Sequence, residues 1–467
     1  MIFLRTSITI LLNKLFTLGC KLVRGFGAIL PQRIRTKFPI FEKEASVLPG
    51  RLVLPLNRNI LSKIKYPKYV IGITGSSGKG SATNLVAHVL KESGLKVVWN
   101  DSGSNVHSAT TTLILNNTGT FSHKMKCDVL LLELDESYIR ESFKKSTLTH
   151  LALTNITRDQ PARNGTPEVI LKKIDDAIDD NMHLILNDDD PFVKRLGINH
   201  QGPITTYGIA KNKHSLKEPM SQCIDAAYCP ICHKKLKYAY YHYGHLGSFK
   251  CPKCDFKRQV NYEADEIDLE NSKIKINGKL VKLNKNAFFN IYSTLLAYII
   301  CKEIGISDKD LIKGFNTNSM QDTRLEGLTL DGRKVNMLES KNENSLSYFQ
   351  SLDYINNYPG EKTIVLGFDN VSRRYKHNDI SWLYDVDFEH LDTDSIDYIY
   401  CIGRFRYDVA TRLINSGISE DKLILVDNIN NIKADLQKSA GNIFTMVCFD
   451  MTDILMKIFN KEDHNES

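Results

Sequence analysis

The residues with the clearest chemical meaning form a glycine-rich turn with one lysine, Gly75-Ser76-Ser77-Gly78-Lys79-Gly80-Ser81. Such a turn can direct backbone N–H groups at a phosphate, helped by the positive end of the following helix, which we expect to start near Ser81. Lys79 can reach the outer phosphates of a nucleotide, and a hydroxyl just beyond it can bind Mg²⁺. The longer phosphate-loop spacing fails because it needs glycine at Ile73. The turn therefore predicts an ATP site, with an ordinary strand–turn–helix as the alternative.

Four cysteines form a second cluster with metal-binding spacing. Cys229-Pro-Ile-Cys232 is followed 19 residues later by Cys251-Pro-Lys-Cys254. Two such pairs suit a tetrahedral Zn²⁺ held by four thiolates, and a closed site of this kind is structural. Two disulfides are the alternative, which a reducing compartment disfavours. Because the cysteines complete the ligand set, we expect the neighbouring histidines to be surface residues: His233, His242 and His245.

Strands that alternate with helices must position these groups. The first strand precedes the glycine turn, and each of the next four apolar runs closes on polar residues: 96–100, 128–133, 150–155 and 183–187. This pattern predicts an α/β fold with a doubly wound, mainly parallel sheet that binds ligands beyond the carboxyl ends of its strands. Acidic residues at those ends, including Asp188–Asp190, are expected where the Mg²⁺ of ATP would lie.

The length of 467 residues predicts two or three domains. We expect an N-terminal helical segment over 1–50, a central ATP-binding domain over 51–318 and a C-terminal α/β domain over 319–467. The cysteine cluster marks an insertion in the central domain at about 212–262. The polar stretch Ile306–Met320 is interpreted as a hinge.

Composition restricts the class of protein. Hydrophobic residues make up 42% and charged residues 25% of the chain, as in soluble globular proteins. The net charge of +7 favours an anionic substrate or membrane surface without requiring nucleic acid. We expect no segment to reach the roughly 20 apolar residues of a membrane span, and we expect a cytoplasmic protein. The apolar N-terminal helix should pack on the body, with an interfacial helix at the inner face of the membrane as the alternative.

Together, these motifs resemble the Mur ligase superfamily, whose members phosphorylate a carboxylate with ATP and let an amine displace the phosphate. Thr74–Gly80 is similar to the phosphate loop of that superfamily, and Glu133 matches its Mg²⁺-binding glutamate. The resemblance implies a Mur ligase-like central domain, an inserted zinc ribbon and a C-terminal α/β domain. It also implies these site residues: Gly75, Ser76, Ser77, Gly78, Lys79, Gly80, Ser81, Asn290 and Arg324 for ATP, Ser81 and Glu133 for magnesium, Cys229, Cys232, Cys251 and Cys254 for zinc, and Lys79 and Glu133 in catalysis.

A narrower resemblance joins the chain to amidating members of the superfamily. It rests on the four-cysteine ribbon and on three segments: Asp101–Asn105, Thr154–Gln160 and Asp379–Glu389. It implies ATP-dependent amidation of the D-glutamate α-carboxylate in the lipid II stem peptide, through an acyl phosphate. It further implies a heterodimer with a GatD-like glutaminase subunit that supplies ammonia.

The same resemblance implies that a carboxylate of this chain completes the Cys–His pair of the glutaminase. Asp379 is the first choice and Asp385 the reserve; a helix N-cap or a surface salt bridge is the alternative for each. Two positions depart from the superfamily pattern. Glu343 replaces a proline, and Ser293 stands where an asparagine is expected.

Two other functions are considered. An amino-acid-adding ligase of the Mur or folylpolyglutamate type is supported by Gly80-Ser81, but the ribbon and the Asp379–Glu389 segment argue against it. A nucleic-acid-binding ATPase is supported by the net charge and by interleaved basic and aromatic residues in Lys235–Tyr243. We favour packing within a β-hairpin as the explanation of that stretch.

Overall fold

The structure, a computed structural model, describes residues 2–29, 47–101, 105–143, 147–219, 224–283, 288–317, 328–371 and 379–460. Its strands are β1 (Tyr69–Thr74), β2 (Val97–Trp99), β3 (Val129–Glu133), β4 (His150–Leu153), β5 (His183–Asn187), β6 (Ile204–Ile209), β7 (Lys237–Tyr243), β8 (Leu246–Lys250), β9 (Tyr262–Asp268), β10 (Lys273–Ile276), β11 (Lys279–Lys282), β12 (Thr329–Leu330), β13 (Arg333–Glu339), β14 (Lys362–Gly367), β15 (Ile396–Ile402), β16 (Leu423–Leu425) and β17 (Asn442–Val447).

The helices alternate with these strands. They are α1 (Ile2–Ile29), α2 (Leu48–Val53), α3 (Lys79–Glu92), α4 (His107–Asn116), α5 (Ile139–Ser142), α6 (Pro161–Asn164), α7 (Pro167–Asp175), α8 (Pro191–Arg195), α9 (Asn290–Glu303), α10 (Asp308–Thr317), α11 (Ser345–Asn357), α12 (Arg406–Asn415), α13 (Ile432–Leu436) and α14 (Phe449–Phe459). Short 3-10 helices span Leu61–Lys63, Ser381–Asp385, Phe388–Leu391, Glu420–Lys422 and Ile429–Asn431.

A nine-stranded sheet carries the glycine-rich turn. Its strand order is β11-β10-β9-β6-β5-β4-β1-β3-β2; β10 pairs antiparallel with both β9 and β11, while the other pairings are parallel. β1 lies between β3 and β4, so the turn after β1 opens between the carboxyl ends of two neighbours. The predicted doubly wound, mainly parallel α/β sheet is confirmed.

Alternating side chains of β1 divide the core of this sheet between its two faces. Ile71 and Ile73 pack with α3 and the almost wholly buried α9, whereas Val70 faces the core beneath α4 and α7. The expected hinge at Ile306–Met320 is wrong over Asp308–Thr317, which forms helix α10. Two buried apolar side chains, Leu311 and Phe315, fix this otherwise polar helix against the α3–α9 face.

A second sheet follows, with strand order β12-β13-β17-β14-β15-β16. Its pairings are parallel except for β12 with β13, and it has buried side chains on both faces. The predicted C-terminal α/β unit with its own core is therefore present. The domain boundaries near residues 50 and 318 stay predictions, and residue 318 lies outside the described ranges.

The N-terminal helix α1 packs on α2 and α4, which confirms the expected contact with the body. The expectation that no segment reaches a membrane span does not hold for the length and composition of helix α1. Ile2–Leu22 is long and apolar enough to cross a membrane by length and composition alone, although a third of it is buried in the protein. The helix is apolar overall because its packed side carries small polar residues and few charges, while its opposite side carries leucines.

Candidate active site

The turn after β1 requires glycine at two positions. Gly75 has φ 130° and Gly78 has φ 81°, conformations that residues with a side chain rarely adopt. A Cβ on Gly75 would also lie 2.3 Å from Thr154 Oγ1, at the end of β4. α3 begins at Lys79, two residues earlier than the sequence indicated, so its first N–H groups border the turn.

Lys79 is held by an ion pair inside the turn. Its Nζ lies 2.8 Å from Glu136 Oε1 and also donates to the carbonyl of Gly75. The N–H of Gly75 donates to the same Glu136 oxygen at 3.1 Å. Burial lowers the pKa of Lys79, but the negative charges of Glu136, Asp159 and Glu133 together outweigh it, so the net shift is upward. The lysine is thus a fixed positive charge at the base of the turn.

Glu133 places a carboxylate beside the start of α3. Its Oε1 accepts from Asn105 Nδ2 at 3.2 Å, and a Cβ on Gly80 would lie 3.2 Å from its Oε2. Burial raises the pKa of Glu133, and the charge of Lys79 opposes that shift. Ser81 lines the same cavity, so a hydroxyl and a carboxylate are both available to a hard cation such as Mg²⁺.

These groups meet in one cavity of about 350 Å³, within the range of small-molecule sites. Ser76–Ser81, Glu133 and Asn290 all line it, as do the aromatic rings of Tyr243 and Phe289. Asn290 Nδ2 is buried and has no hydrogen-bond partner among the described residues, so a donor is left for a ligand. The donors and the glycine turn therefore fit a nucleotide with its magnesium ion. Arg324 lies outside the described residues.

The second sheet completes this cavity. Asp159 accepts from Lys341 Nζ at 2.8 Å and from Asn344 Nδ2 at 2.9 Å, and the N–H of Gln160 donates to Glu343 O at 2.8 Å. Lys341 and Asn344 also line the cavity, at the start of α11. The site is therefore formed between the two sheets.

Sequence reasoning gave no role to two residues that shape the turn, Glu136 and Asn155. Asn155 Oδ1 accepts from the N–H of Ser77 at 3.1 Å, and its carbonyl accepts from the N–H of Ser76 at 2.8 Å. Both residues follow the strands that flank β1. That adjacency is the signal that could have identified them.

The two aspartates considered for the partner site differ in their surroundings. Asp379 is exposed, and its Oδ1 accepts from the N–H of Ser381 at 3.0 Å. Asp385 Oδ1 lies 2.8 Å from Arg158 Nη1, in an ion pair with the nine-stranded-sheet unit. Neither residue lines the nucleotide-sized cavity.

The acidic run after β5 does not face that cavity, although the sequence placed it near Mg²⁺. Asp188 pairs with Lys194 at 2.8 Å, and Asp189 Oδ1 accepts from Arg258 Nε at 2.5 Å. Asp190 lies 3.1 Å from His245 Nε2 and accepts from the N–H of Phe192. All three carboxylates are fully buried and taken by protein donors. Arg258 and His245 belong to the inserted ribbon, so these aspartates attach the ribbon to the nine-stranded sheet. We call Asp188–Asp190 the aspartate anchor.

The four ribbon cysteines converge as predicted. Their sulfur atoms all lie within 4.8 Å of one another. The Cys229–Cys254 and Cys232–Cys251 sulfur distances are 3.6 and 3.3 Å, well beyond the roughly 2.05 Å of a disulfide. The alternative of two disulfides is wrong, and the spacing suits four thiolates around one metal ion.

The expectation that the neighbouring histidines lie on the surface holds for His233 but is wrong for the other two. His242 and His245 are buried, because both lie in the β7–β8 hairpin and face the aspartate anchor. Asp190 raises the pKa of His245 against the effect of burial. Tyr240 and Tyr243 of this hairpin are also buried, as hairpin packing predicts.

Two family models match the chain. The Mur ligase middle domain matches residues 73–229, and the MurT ligase C-terminal domain matches residues 341–449. The subunit MurT of lipid II isoglutaminyl synthase (glutamine-hydrolyzing) from Staphylococcus aureus is 29% identical over 79% of this chain and 83% of its own length. Its counterpart from Streptococcus pneumoniae is 27% identical over 83% and 86%.

Solved structures share the fold at lower identity. A pseudomurein peptide ligase type C from Methanothermus fervidus has a TM-score of 0.64 and 23% identity, covering 86% of this chain and 80% of that one. MurF ligase from Thermotoga maritima in complex with ADP has a TM-score of 0.54 and 16% identity, covering 88% and 83%.

The chain is therefore a ligase that carries a Mur ligase middle domain. Its C-terminal part carries the match to the MurT ligase C-terminal domain, and the relatives that match about 80% of its length at 27–29% identity are MurT subunits.

Proposed function

We propose that this protein amidates the α-carboxylate of D-glutamate in the stem peptide of lipid II, giving D-isoglutamine at the expense of ATP. One observation carries the proposal: the glycine turn, Lys79, Glu133 and the unpaired amide of Asn290 line a single cavity. The relatives named lipid II isoglutaminyl synthase supply the substrate class.

In the cavity, positively charged and N–H groups bind the phosphates, and oxygen ligands bind the metal ion. The N–H groups of Gly78–Ser81 and the ammonium of Lys79 bind phosphate oxygens, and the family resemblance assigns Arg324 to the same phosphates. Ser81 and Glu133 hold Mg²⁺, and Asn290 donates to the adenine. Bound MgATP supplies a phosphoryl group, which turns the carboxylate into an acyl phosphate with a good leaving group. Ammonia can then attack the acyl carbon and release phosphate.

A partner subunit supplies the ammonia. At neutral pH ammonium predominates, so a GatD-like glutaminase in a heterodimer releases ammonia locally from glutamine. Asp379 completes the Cys–His pair of that partner by orienting the imidazole. Its exposure supports this role.

The inserted ribbon holds one structural Zn²⁺ through Cys229, Cys232, Cys251 and Cys254. The four converging sulfur atoms support this assignment. A four-thiolate site has no open position for substrate, so the metal stabilises the insertion and takes no part in the chemistry.

The test is reconstitution of the complex with lipid II, ATP and either glutamine or ammonium chloride. We expect D-isoglutamine with both nitrogen donors. Absence of amidation with either, or transfer of an amino acid in place of ammonia, would contradict the proposal.

Asp379→Asn separates the partner's chemistry from that of the ligase. We expect loss of glutamine-dependent amidation and survival of ammonia-dependent amidation, because the ATP cavity is untouched. Asp385→Asn is the matched control and should keep both activities. Equal loss with both nitrogen donors in Asp379→Asn would assign the residue to the ligase site or to the fold.

A further inference from the structure

Helix α1 turns its apolar side to solvent. Six side chains at alternating spacings of three and four residues are each about half exposed: Leu4, Ile8, Leu11, Leu15, Leu18 and Leu22. We call these six residues the apolar stripe. In a helix this spacing makes one continuous ridge. Ile2 and Phe3 extend the ridge at its start, with 66% and 59% of each residue exposed.

The opposite side of α1 is polar and bonded to the body. Ser7 Oγ lies 2.9 Å from His123 Nε2, and Asn13 Nδ2 donates to Asn116 Oδ1 at 3.0 Å. Thr17 is buried beside the same Asn116. Rotating the helix to hide the apolar stripe would break these buried hydrogen bonds, so the outward orientation is specified. The stripe is thus a surface that some partner covers.

Charge identifies the partner. The segment 2–29 contains Arg5, Lys14, Lys21 and Arg24 and no acidic residue. Helices that pair with a second copy normally place opposite charges beside their apolar seam, and here two copies would bring only like charges together. An anionic lipid surface satisfies both features, because it takes apolar side chains among its acyl chains and cations at its headgroups.

We propose that α1 lies in the interface of an anionic lipid bilayer, with the apolar stripe toward the acyl chains. Lys21 is exposed and would lie at the phosphates of the headgroups, whereas the guanidinium of Arg5 donates to the carbonyl of Leu56. The helix does not span the bilayer, because a span would carry Asn13 and the polar side into hydrocarbon. The proposal rests on this surface alone and is independent of the proposed function.

The experiment is co-sedimentation of the full chain with phosphatidylglycerol vesicles and, separately, with phosphatidylcholine vesicles. We expect binding to the anionic vesicles, several-fold weaker binding to the neutral ones, and weakening as salt rises from about 0.1 to about 1 M. The triple variant Leu11→Ser/Leu15→Ser/Leu18→Ser should bind at least about tenfold more weakly. Its thermal midpoint should match wild type, since these side chains are already half exposed.

The matched control is Leu280→Ser/Ile414→Ser/Leu425→Ser, three comparably exposed apolar residues on other elements, which should bind vesicles like wild type. Lys21→Glu, a single surface change, should weaken binding to anionic vesicles only. No binding of wild type to anionic vesicles, or equal binding of the stripe variant, would overturn the proposal. A dimer lost in the stripe variant would assign the stripe to a second copy, and retention in membranes after alkaline extraction would indicate a span; either result also overturns it.

Discussion

Two lysine–carboxylate pairs of equal length lie at the carboxyl edge of the same sheet and do different work. Lys79 and Glu136 are 2.8 Å apart beside the cavity, and Lys194 and Asp188 are 2.8 Å apart in the aspartate anchor. Both carboxylates follow an apolar parallel strand, so the sequence pattern is the same in each. The two pairs differ in how many other hydrogen-bond donors of the protein surround each carboxylate.

In the anchor, protein groups fill the coordination of the carboxylates. Gln259 donates to Asp188, and Tyr292 and the N–H of Ile209 donate to Asp189. At the cavity, the side-chain nitrogen Nδ2 of Asn290 has no hydrogen-bond partner among the described residues. A saturated acidic cluster therefore stabilises the fold, whereas an incomplete set of donors is available to a ligand.

The largest expected effect is on the anchored ribbon. Removal of zinc by a chelator, or Cys229→Ser, should unfold the insertion, because the roughly 10 kcal/mol of binding free energy of such sites is folding free energy. Elemental analysis should find about one zinc per chain, and the thermal midpoint should fall when it is removed. Metal-free protein of unchanged stability would remove the zinc assignment.

Asp190→Asn should lower the free energy of unfolding by about 3 kcal/mol, because it breaks a fully buried ion pair with His245. Denaturant unfolding measures the loss. Asp180→Asn is the control, since this exposed aspartate beside His200 should contribute less than about 1 kcal/mol. Equal effects of the two changes would contradict the distinction between anchor and surface.

Lys79→Gln should reduce amidation at least about 100-fold, or about 2.7 kcal/mol, in protein that remains folded. The amide can still donate to Glu136 but carries no charge for phosphate. Lys194→Gln is the matched change in the anchor and should do the reverse, lowering stability and sparing ammonia-dependent turnover. Loss of activity in both variants would mean that the two pairs are not functionally distinct.

Near neutral pH, the pH dependence of stability should report the anchor through His245. Because the pKa of His245 is raised above 6.5 on folding, its contribution is complete below about pH 6.5 and is lost as pH rises through the folded value. Burial lowers the pKa of His242, so that residue acts at lower pH. The stability difference between wild type and His245→Gln should therefore shrink above pH 6.5. A constant difference would show that His245 is neutral in the folded protein.

The smallest expected effect concerns Asn290. Asn290→Ala should raise the apparent KM for ATP by roughly three- to tenfold, the worth of about one hydrogen bond, with little change in kcat. Steady-state kinetics with varied ATP measures it. Ser293→Ala, one helical turn away in the same cavity wall, is the control and should change KM less.

Local patterns in the sequence were sufficient for the parallel sheet, the glycine turn and the cysteine cluster, because each depends on residues close together in the chain. The anchor was not predictable, since Arg258 and His245 reach Asp188–Asp190 from an insertion more than 50 residues away. α10 was misjudged because two buried side chains outweigh a polar surface. For α1, helical spacing revealed an apolar face but not which side the body would take.

Glu136 affects how the glycine turn would exchange one anionic ligand for another. Its carboxylate accepts from the N–H of Gly75 and from Lys79, donors that an anionic ligand could use. It is therefore an internal mimic of the ligand that keeps the turn ordered without nucleotide. A nucleotide phosphate would displace Glu136 from the Gly75 N–H and from Lys79, and it would meet a turn that is already ordered. In the proposed reaction, such an exchange would weaken the net affinity for the product nucleotide and thereby speed its departure.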